Sequence, residues 1–113
     1  MKRILAPILL LTLLFPALAL SETMGDLVKR DGLYYKKFTE VPFTGKITGN
    51  TQGSFKDGKK HGPWVTYWSN GQLLTKGTYK DGKEDGPWVW FNKDGTVIPS
   101  YTGTFKDGKK VSD

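Results

Sequence analysis

The sequence predicts an all-β fold: an elongated antiparallel β-meander of repeated hairpins, a single-sheet solenoid, preceded by a cleavable signal helix. Three observations predict it. The stretch Gly53-Ser-Phe-Lys-Asp-Gly-Lys-Lys-His-Gly-Pro-Trp-Val65 returns as Gly77-Thr-Tyr-Lys-Asp-Gly-Lys-Glu-Asp-Gly-Pro-Trp-Val89, with 9 of 13 positions identical, and begins a third time at Gly103. Turn signals at residues 57, 70, 81, 94 and 107 are separated by 13, 11, 13 and 13 residues, which is the spacing of consecutive antiparallel strands. No segment between them is long enough for the crossover helix that a parallel sheet needs.

The chain opens on Met1-Lys2-Arg3, followed by an apolar run from Ile4 to Leu20 broken by Pro7, Thr12 and Pro16 and containing Ala17-Leu18-Ala19. A charged start, a short apolar middle and a small-x-small site predict a signal peptide over 1–19, cleaved after Ala19 or after Ser21, and hence a periplasmic or secreted protein. The apolar run is short for a membrane span and holds two prolines. There is no Cys, so no disulfide supports the exported chain. Removing Lys2 and Arg3 from the 17 basic residues leaves 15 against 11 acidic ones. The lysines are scattered singly or in pairs, which suits a solvated surface and asks for no nucleic-acid partner. All 14 glycines and all 4 tryptophans lie beyond the apolar run; glycine interrupts every window long enough for a helix, and abundant aromatics exclude a disordered chain.

Residues 20–30 carry little pattern and are expected to be a flexible lead-in. The repeat domain is expected over 31–113, with a degenerate cap at 31–52, repeats at 53–76 and 77–102, and a terminal half-repeat at 103–113. Asp31-Gly32 is the first turn signal, followed by the strand formers Leu33-Tyr34-Tyr35. Pro42 cannot donate to a ladder, so Phe38 to Gly49 is expected at an edge or in a connection. In the first regular unit, Ser54-Phe55-Lys56 is a short strand and Asp57-Gly58 supplies the positive φ angles of a two-residue hairpin. Pro63 then leads into a longer strand, Trp64 to Trp68, and Asn70-Gly71 turns the chain again. The second unit repeats this order. The heads of the units are 24 and then 26 residues apart, so two residues are inserted near Pro99-Ser100, where a bulge or a wide turn is expected. The third unit lacks Gly-Pro-Trp and forms a final hairpin that closes the sheet.

Alternation places Trp64, Thr66 and Trp68 on one face and Val65 and Tyr67 on the other; Trp88 and Trp90 share a face, with Val89 and Phe91 opposite. Which face is buried stays open. The glycine heading each unit is expected to let a neighbouring ring lie against bare backbone.

The unit Gly-x-[Phe/Tyr]-Lys-Asp-Gly-Lys-x-x-Gly-Pro-Trp, followed by Asn-Gly or Asp-Gly, resembles the MORN repeat, and more closely the MORN-variant repeats of the bacterial YwqK-type antitoxin family. The resemblance runs from Asp31 to Lys110, and Leu33-Tyr34-Tyr35 and Pro42-Phe43-Thr44-Gly45 look like that family's opening. It implies a protein-interaction or assembly module, with roles at lipid surfaces, and a toxin protein as partner. An export signal is a departure from a cytoplasmic antitoxin.

No catalytic constellation is visible. The single histidine, His61, stands where the other copies have Asp85 and Val111. Asp57, Asp81 and Asp107 recur in step, but each precedes a turn glycine and serves that turn. No cofactor or metal is expected and the protein is read as non-enzymatic. Glu84-Asp85 is expected to face Lys60-His61 across the repeats as a charge pair. Function should lie where the copies differ, so Lys60, His61, Thr66, Tyr67, Trp68, Glu84, Asp85, Trp90 and Asn92 are the candidate partner-binding residues. The expected partner is another protein; the alternative is an anionic lipid or polysaccharide surface met by Lys56, Lys80 and Lys106. The exposed sheet edges also allow edge-to-edge self-association.

Overall fold

The computed structural model describes residues 22–113, so the expected signal peptide lies outside the described residues. These form twelve strands: β1 (Glu22–Thr23), β2 (Leu27–Arg30), β3 (Leu33–Lys36), β4 (Gly45–Thr48), β5 (Thr51–Lys56), β6 (Lys59–Lys60), β7 (Gly62–Tyr67), β8 (Leu73–Lys80), β9 (Lys83–Glu84), β10 (Gly86–Trp90), β11 (Gly103–Lys106) and β12 (Lys109–Ser112). One open sheet runs in the order β1-β4-β5-β7-β8-β10-β11-β12, with β6 paired to β5 and β9 to β8, while β2 and β3 form a separate hairpin. The predicted all-β chain of hairpins is therefore present. It is antiparallel except at its start, where β1 runs parallel to β4 through Glu22↔Ile47 and Thr23↔Thr48.

That start also corrects the expected lead-in over 20–30. From Glu22 onward the segment is folded: Leu27 is buried, Glu22 is buried and meets the Lys36 ammonium at 3.0 Å, and Asp26 accepts the Thr23 amide at 2.8 Å. A boundary at 31 would cut the β2–β3 hairpin in half. Two residues pairing in parallel and one buried leucine offer neither alternation nor a turn signal for sequence reasoning to use.

Four Asp-Gly hairpin tips share one geometry. Asp31, Asp57, Asp81 and Asp107 have φ of 50–51° and the glycines after them 81–84°, so both central residues are left-handed, as a type I′ turn demands. The turns at 70–71 and 94–95 differ. At Gly71 and Gly95 the glycine alone is left-handed, and the Gly71 amide donates to Trp68 O at 2.9 Å and the Gly95 amide to Asn92 O at 3.0 Å.

The tryptophan of each regular unit settles the packing. After the short return strand β6 the chain bends at Gly62, φ 95°, and continues as β7. Trp64 on β7 lies over Gly53 of β5, where a Cβ would collide with the indole, and Trp88 on β10 lies over Gly77 of β8 in the same way. The Trp64 indole N–H donates to Ser54 O at 3.3 Å and that of Trp88 to Thr78 O at 3.0 Å. Each of these carbonyls also accepts a main-chain amide, from His61 and from Asp85, both at 2.9 Å. In the cap Ile47 takes the tryptophan's place, since Ile47 pairs with Gly53 as Trp64 does with Gly77. Because the repeat-heading glycine faces a ring and does not end a strand, Leu73–Lys76 and Thr78–Lys80 fuse through Gly77 into the single strand β8.

The buried face is the one bearing Trp64 and Trp88, with Ile47, Phe55 and Leu27. A ladder of rings runs along it: Tyr34 and Phe43 on Phe55, Phe55 on Trp64, Trp64 on Tyr79 and Tyr79 on Trp88, with centroids 4.9–5.5 Å apart and the rings tilted or edge-on. Each pair adds about 0.5–1.5 kcal/mol to its area burial. Further along the same strands, the Thr66 and Thr75 hydroxyls meet at 2.6 Å, with Thr75 buried. Trp68 does not extend this face, because it lies past the end of β7 with its amide closing the turn onto Gln72 O at 2.8 Å. The two inserted residues are absorbed by a wide 3-10 turn over Pro99–Tyr101, so 96–102 is not a strand, and the final hairpin β11–β12 ends the sheet as expected.

Candidate functional site

Each Asp-Gly hairpin carries, just behind its tip, a directly opposed pair of one ring and one charge: Lys29↔Tyr34, Phe55↔Lys60, Tyr79↔Glu84 and Phe105↔Lys110. Cross-strand neighbours in a hairpin project from the same face. The tips themselves are tied in a row. The Gly82 amide donates to Lys60 O at 2.9 Å, the Gly108 amide to Glu84 O at 3.0 Å, and the Tyr34 amide to Gly58 O at 2.8 Å. The result is a groove of about 520 Å³ running past the glycines of all four tips, 32, 58, 82 and 108, walled by Lys29, Tyr34, Lys60, Tyr79 and Glu84.

Lys60 is the central side chain of this groove. Its ammonium lies 5.0 Å from the ring centroids of both Trp64 and Tyr79 and 5.9 Å from that of Tyr34, so three rings surround it. Lys29 approaches the same Tyr34 ring at 5.6 Å. Burial pulls the Lys60 pKa below the usual lysine range, the nearby Lys29 charge pulls it further, and Glu84 opposes both. Burial likewise raises the Glu84 carboxyl against the attraction of Lys60. The Tyr79 phenol is pushed up to about 12, chiefly by burial and then by the Glu84 charge.

The expected Lys60–Glu84 pairing is corrected in one respect. The two charges act on each other, but among the described residues the ion pairs are Lys36–Glu22 and Lys110–Asp113. A cage of rings holds the Lys60 ammonium in place of the carboxylate partner that the sequence predicts.

Of the candidate residues, Lys60 and Glu84 come together at the groove. His61 and Asp85 sit at the bends behind it, where their amides and not their side chains do the repeated work, which explains why two such different residues occupy equivalent places. Thr66 is committed to Thr75, and the Tyr67 amide to Asn50 O at 2.8 Å. Trp68 and Asn92 lie at the other row of turns. Trp68 donates its indole N–H to Phe91 O at 3.1 Å beneath the Lys93 ammonium, and Asn92 binds Thr96 Oγ1 at 2.9 Å. Trp90 meets Tyr101 at 5.4 Å between ring centroids and shares a second cavity with Glu84, Phe105 and Lys110.

Sequence reasoning missed Lys29, Tyr34 and Tyr79 as groove residues. A signal was present: aligning Asp31-Gly32 on Asp57-Gly58 puts Lys29 on Phe55 and Tyr34 on Lys60, so the cap swaps the ring and the charge between strands. Among the described residues no three His, Cys, Asp or Glu cluster as metal ligands, and no helix is long and apolar enough to cross a membrane.

Comparison with known families finds the MORN repeat variant over residues 60–81, from β6 through the tryptophan strand to the third tip, and the MORN repeat over 101–111, the last hairpin. No curated protein matches the chain. MORN repeats are interaction or scaffold modules, and these two matches, on the hairpins described above, support a MORN-repeat protein.

Proposed function

We propose that this protein is a non-enzymatic, exported repeat scaffold that binds a protein partner along the row of Asp-Gly tips. The supporting observation is a division of labour. Nearly every recurring residue serves a turn, a bend or the ring ladder, while the charges that change from hairpin to hairpin, Lys29, Lys60 and Glu84, border a continuous groove with the rings of Tyr34 and Tyr79. The test is a photo-crosslinker placed in the groove at Lys83 and, as a control, at Lys46 on β4, followed by recovery from the exported fraction. A protein trapped through position 83 and not through 46 is expected; equal trapping, or none, counts against the reading. The antitoxin-like form of the proposal, in which the partner is a toxin, rests on the resemblance of the repeat unit alone.

A second reading, a module for anionic lipid or polysaccharide surfaces, is favoured by one observation. The strands flanking three tips place lysines directly opposite one another, Lys56↔Lys59, Lys80↔Lys83 and Lys106↔Lys109, and the recurring Lys56, Lys80 and Lys106 are all exposed. Liposome or glycan pull-downs that ignore both salt and charge reversal at Lys56, Lys80 and Lys106 would eliminate it.

A further inference from the structure

We infer that the Lys29–Lys60 half of the groove is a subsite for a carboxylate side chain, and that the segment laid along the tips is an extended acidic stretch of a partner protein. The inference rests on the scaffold reading above. It starts from an electrostatic imbalance: two ammonium groups from successive hairpins converge on one ring, Tyr34, at 5.6 and 5.9 Å, and neither has a carboxylate within ion-pair distance among the described residues. Like charges brought together at a partly desolvated place attract a counter-charge more strongly than separated surface lysines do. Among the described residues, the carboxylate on the groove wall that acts on Lys60 is that of Glu84, on the next hairpin.

The shape favours an extended ligand. The groove passes glycine at every tip; Gly58 is packed under Leu33 and Pro42, but at Gly32, beside Lys29, nothing lies within 4 Å of where a side chain would begin. A chain can therefore lie close to bare turn backbone at the first tip while its side chains reach Lys29, Tyr34 and Lys60. Tyr79 holds the Lys60 ammonium against its ring face and borders the same space with a protonated phenol, which can donate a hydrogen bond to an anion. The order of ring-paired groove charges along the row, Lys29, Lys60 and then Glu84, further sets a register. Acidic residues of the ligand belong at the first two hairpins and are disfavoured at the third, which a flat basic surface would not impose.

The experiment titrates the purified protein with a short oligoglutamate peptide, following lysine side-chain and backbone resonances by NMR. Shifts concentrated at Lys29, Tyr34 and Lys60 are expected, weakening as salt is raised. Lys29→Met and Lys60→Met are each expected to weaken binding on the order of tenfold, as loss of a charge-assisted contact does. Lys60→Arg retains most of it, Lys56→Met at the exposed tip leaves it unchanged, and Glu84→Gln tightens it. Equal losses from Lys56→Met and Lys60→Met would overturn the subsite in favour of general attraction. So would selective binding of phosphatidylserine vesicles or inorganic phosphate with none of the peptide. If a partner is trapped through position 83 while oligoglutamate fails to bind, the acidic-segment inference falls and the scaffold reading stands; if nothing is trapped either, both fall.

Discussion

Trp88 lies over Gly77 with no room between them for a Cβ, and its indole N–H reaches the carbonyl of Thr78, the next residue in the chain. Gly77→Ala should therefore force the ring off its site and cost roughly 1–3 kcal/mol, the range for overpacking a filled core. Urea unfolding measures it. In a double mutant with Trp88→Leu the two losses should be less than additive, because removing the indole removes the collision; strict additivity would mean that the ring and the glycine do not meet.

The tip glycines carry a second, separable constraint. Gly58 and Gly82 have nearly equal φ, 83° and 84°, so valine at either should cost about 1–3 kcal/mol through backbone strain. At Gly58 an added Cβ would also sit 3.1 Å from Leu33 Cβ and Pro42 Cβ, whereas at Gly82 the nearest atom is Lys59 Cβ at 3.7 Å. Gly58→Val should accordingly melt lower than Gly82→Val.

Thr66 and Thr75 test whether a buried hydroxyl pair needs both members. Thr75→Val alone leaves the Thr66 hydroxyl without its partner and should cost about 1–2 kcal/mol, while valine at both positions should recover much of that. A double mutant no better than the worse single one would show that the 2.6 Å contact is not what matters.

Tyr79 should govern the alkaline limit. Its pKa rises on folding from 10.0 to about 12, so its contribution to stability is complete below pH 10 and is lost as pH climbs through the folded value. Tyr79→Phe should flatten the fall in stability between pH 10 and 12, as read by denaturant midpoints across that window. A fall of unchanged steepness would place its cause elsewhere.

Lys60 has the opposite sign. Its folded pKa lies below its ordinary 10.5, so the folded state carries a cost while the group is charged, and stability should rise as pH approaches 10.5. Lys60→Met keeps an aliphatic chain against the three rings without the charge, and should raise the unfolding midpoint at neutral pH by an amount that shrinks toward pH 10.5. A more stable variant that binds oligoglutamate less well would mark Lys60 as kept for binding.

Much of the architecture was legible because each repeated residue has a local duty. Asp57-Gly58 announces a left-handed pair, Gly62-Pro63 a bend, Trp64 a ring needing a bare strand. What was not legible was either non-local or masked by substitution. The parallel pairing of Glu22–Thr23 with β4 joins segments some 25 residues apart with no pattern between them. The groove escaped because its residues alternate in kind: Tyr34 occupies the place of Lys60, and Lys29 that of Phe55. Glu84 and Lys60 are recognisable in the sequence as facing groups, but a one-dimensional reading pairs opposite charges and has no means of seeing three rings around an ammonium.

The amide-to-carbonyl ties from Gly82 to Lys60 and from Gly108 to Glu84 have a consequence for how such a chain changes length. The joints on either side of the 81–82 tip are of the same kind, while the cap is joined differently, through the Tyr34 amide on Gly58 O, so a further unit patterned on residues 53–76 could be spliced in between the regular hairpins without altering these joints. The molecule is in this respect a ruler: the span of its binding row is quantised, and a gene that gains or loses one unit changes the reach of the protein by a fixed step while leaving its ends intact.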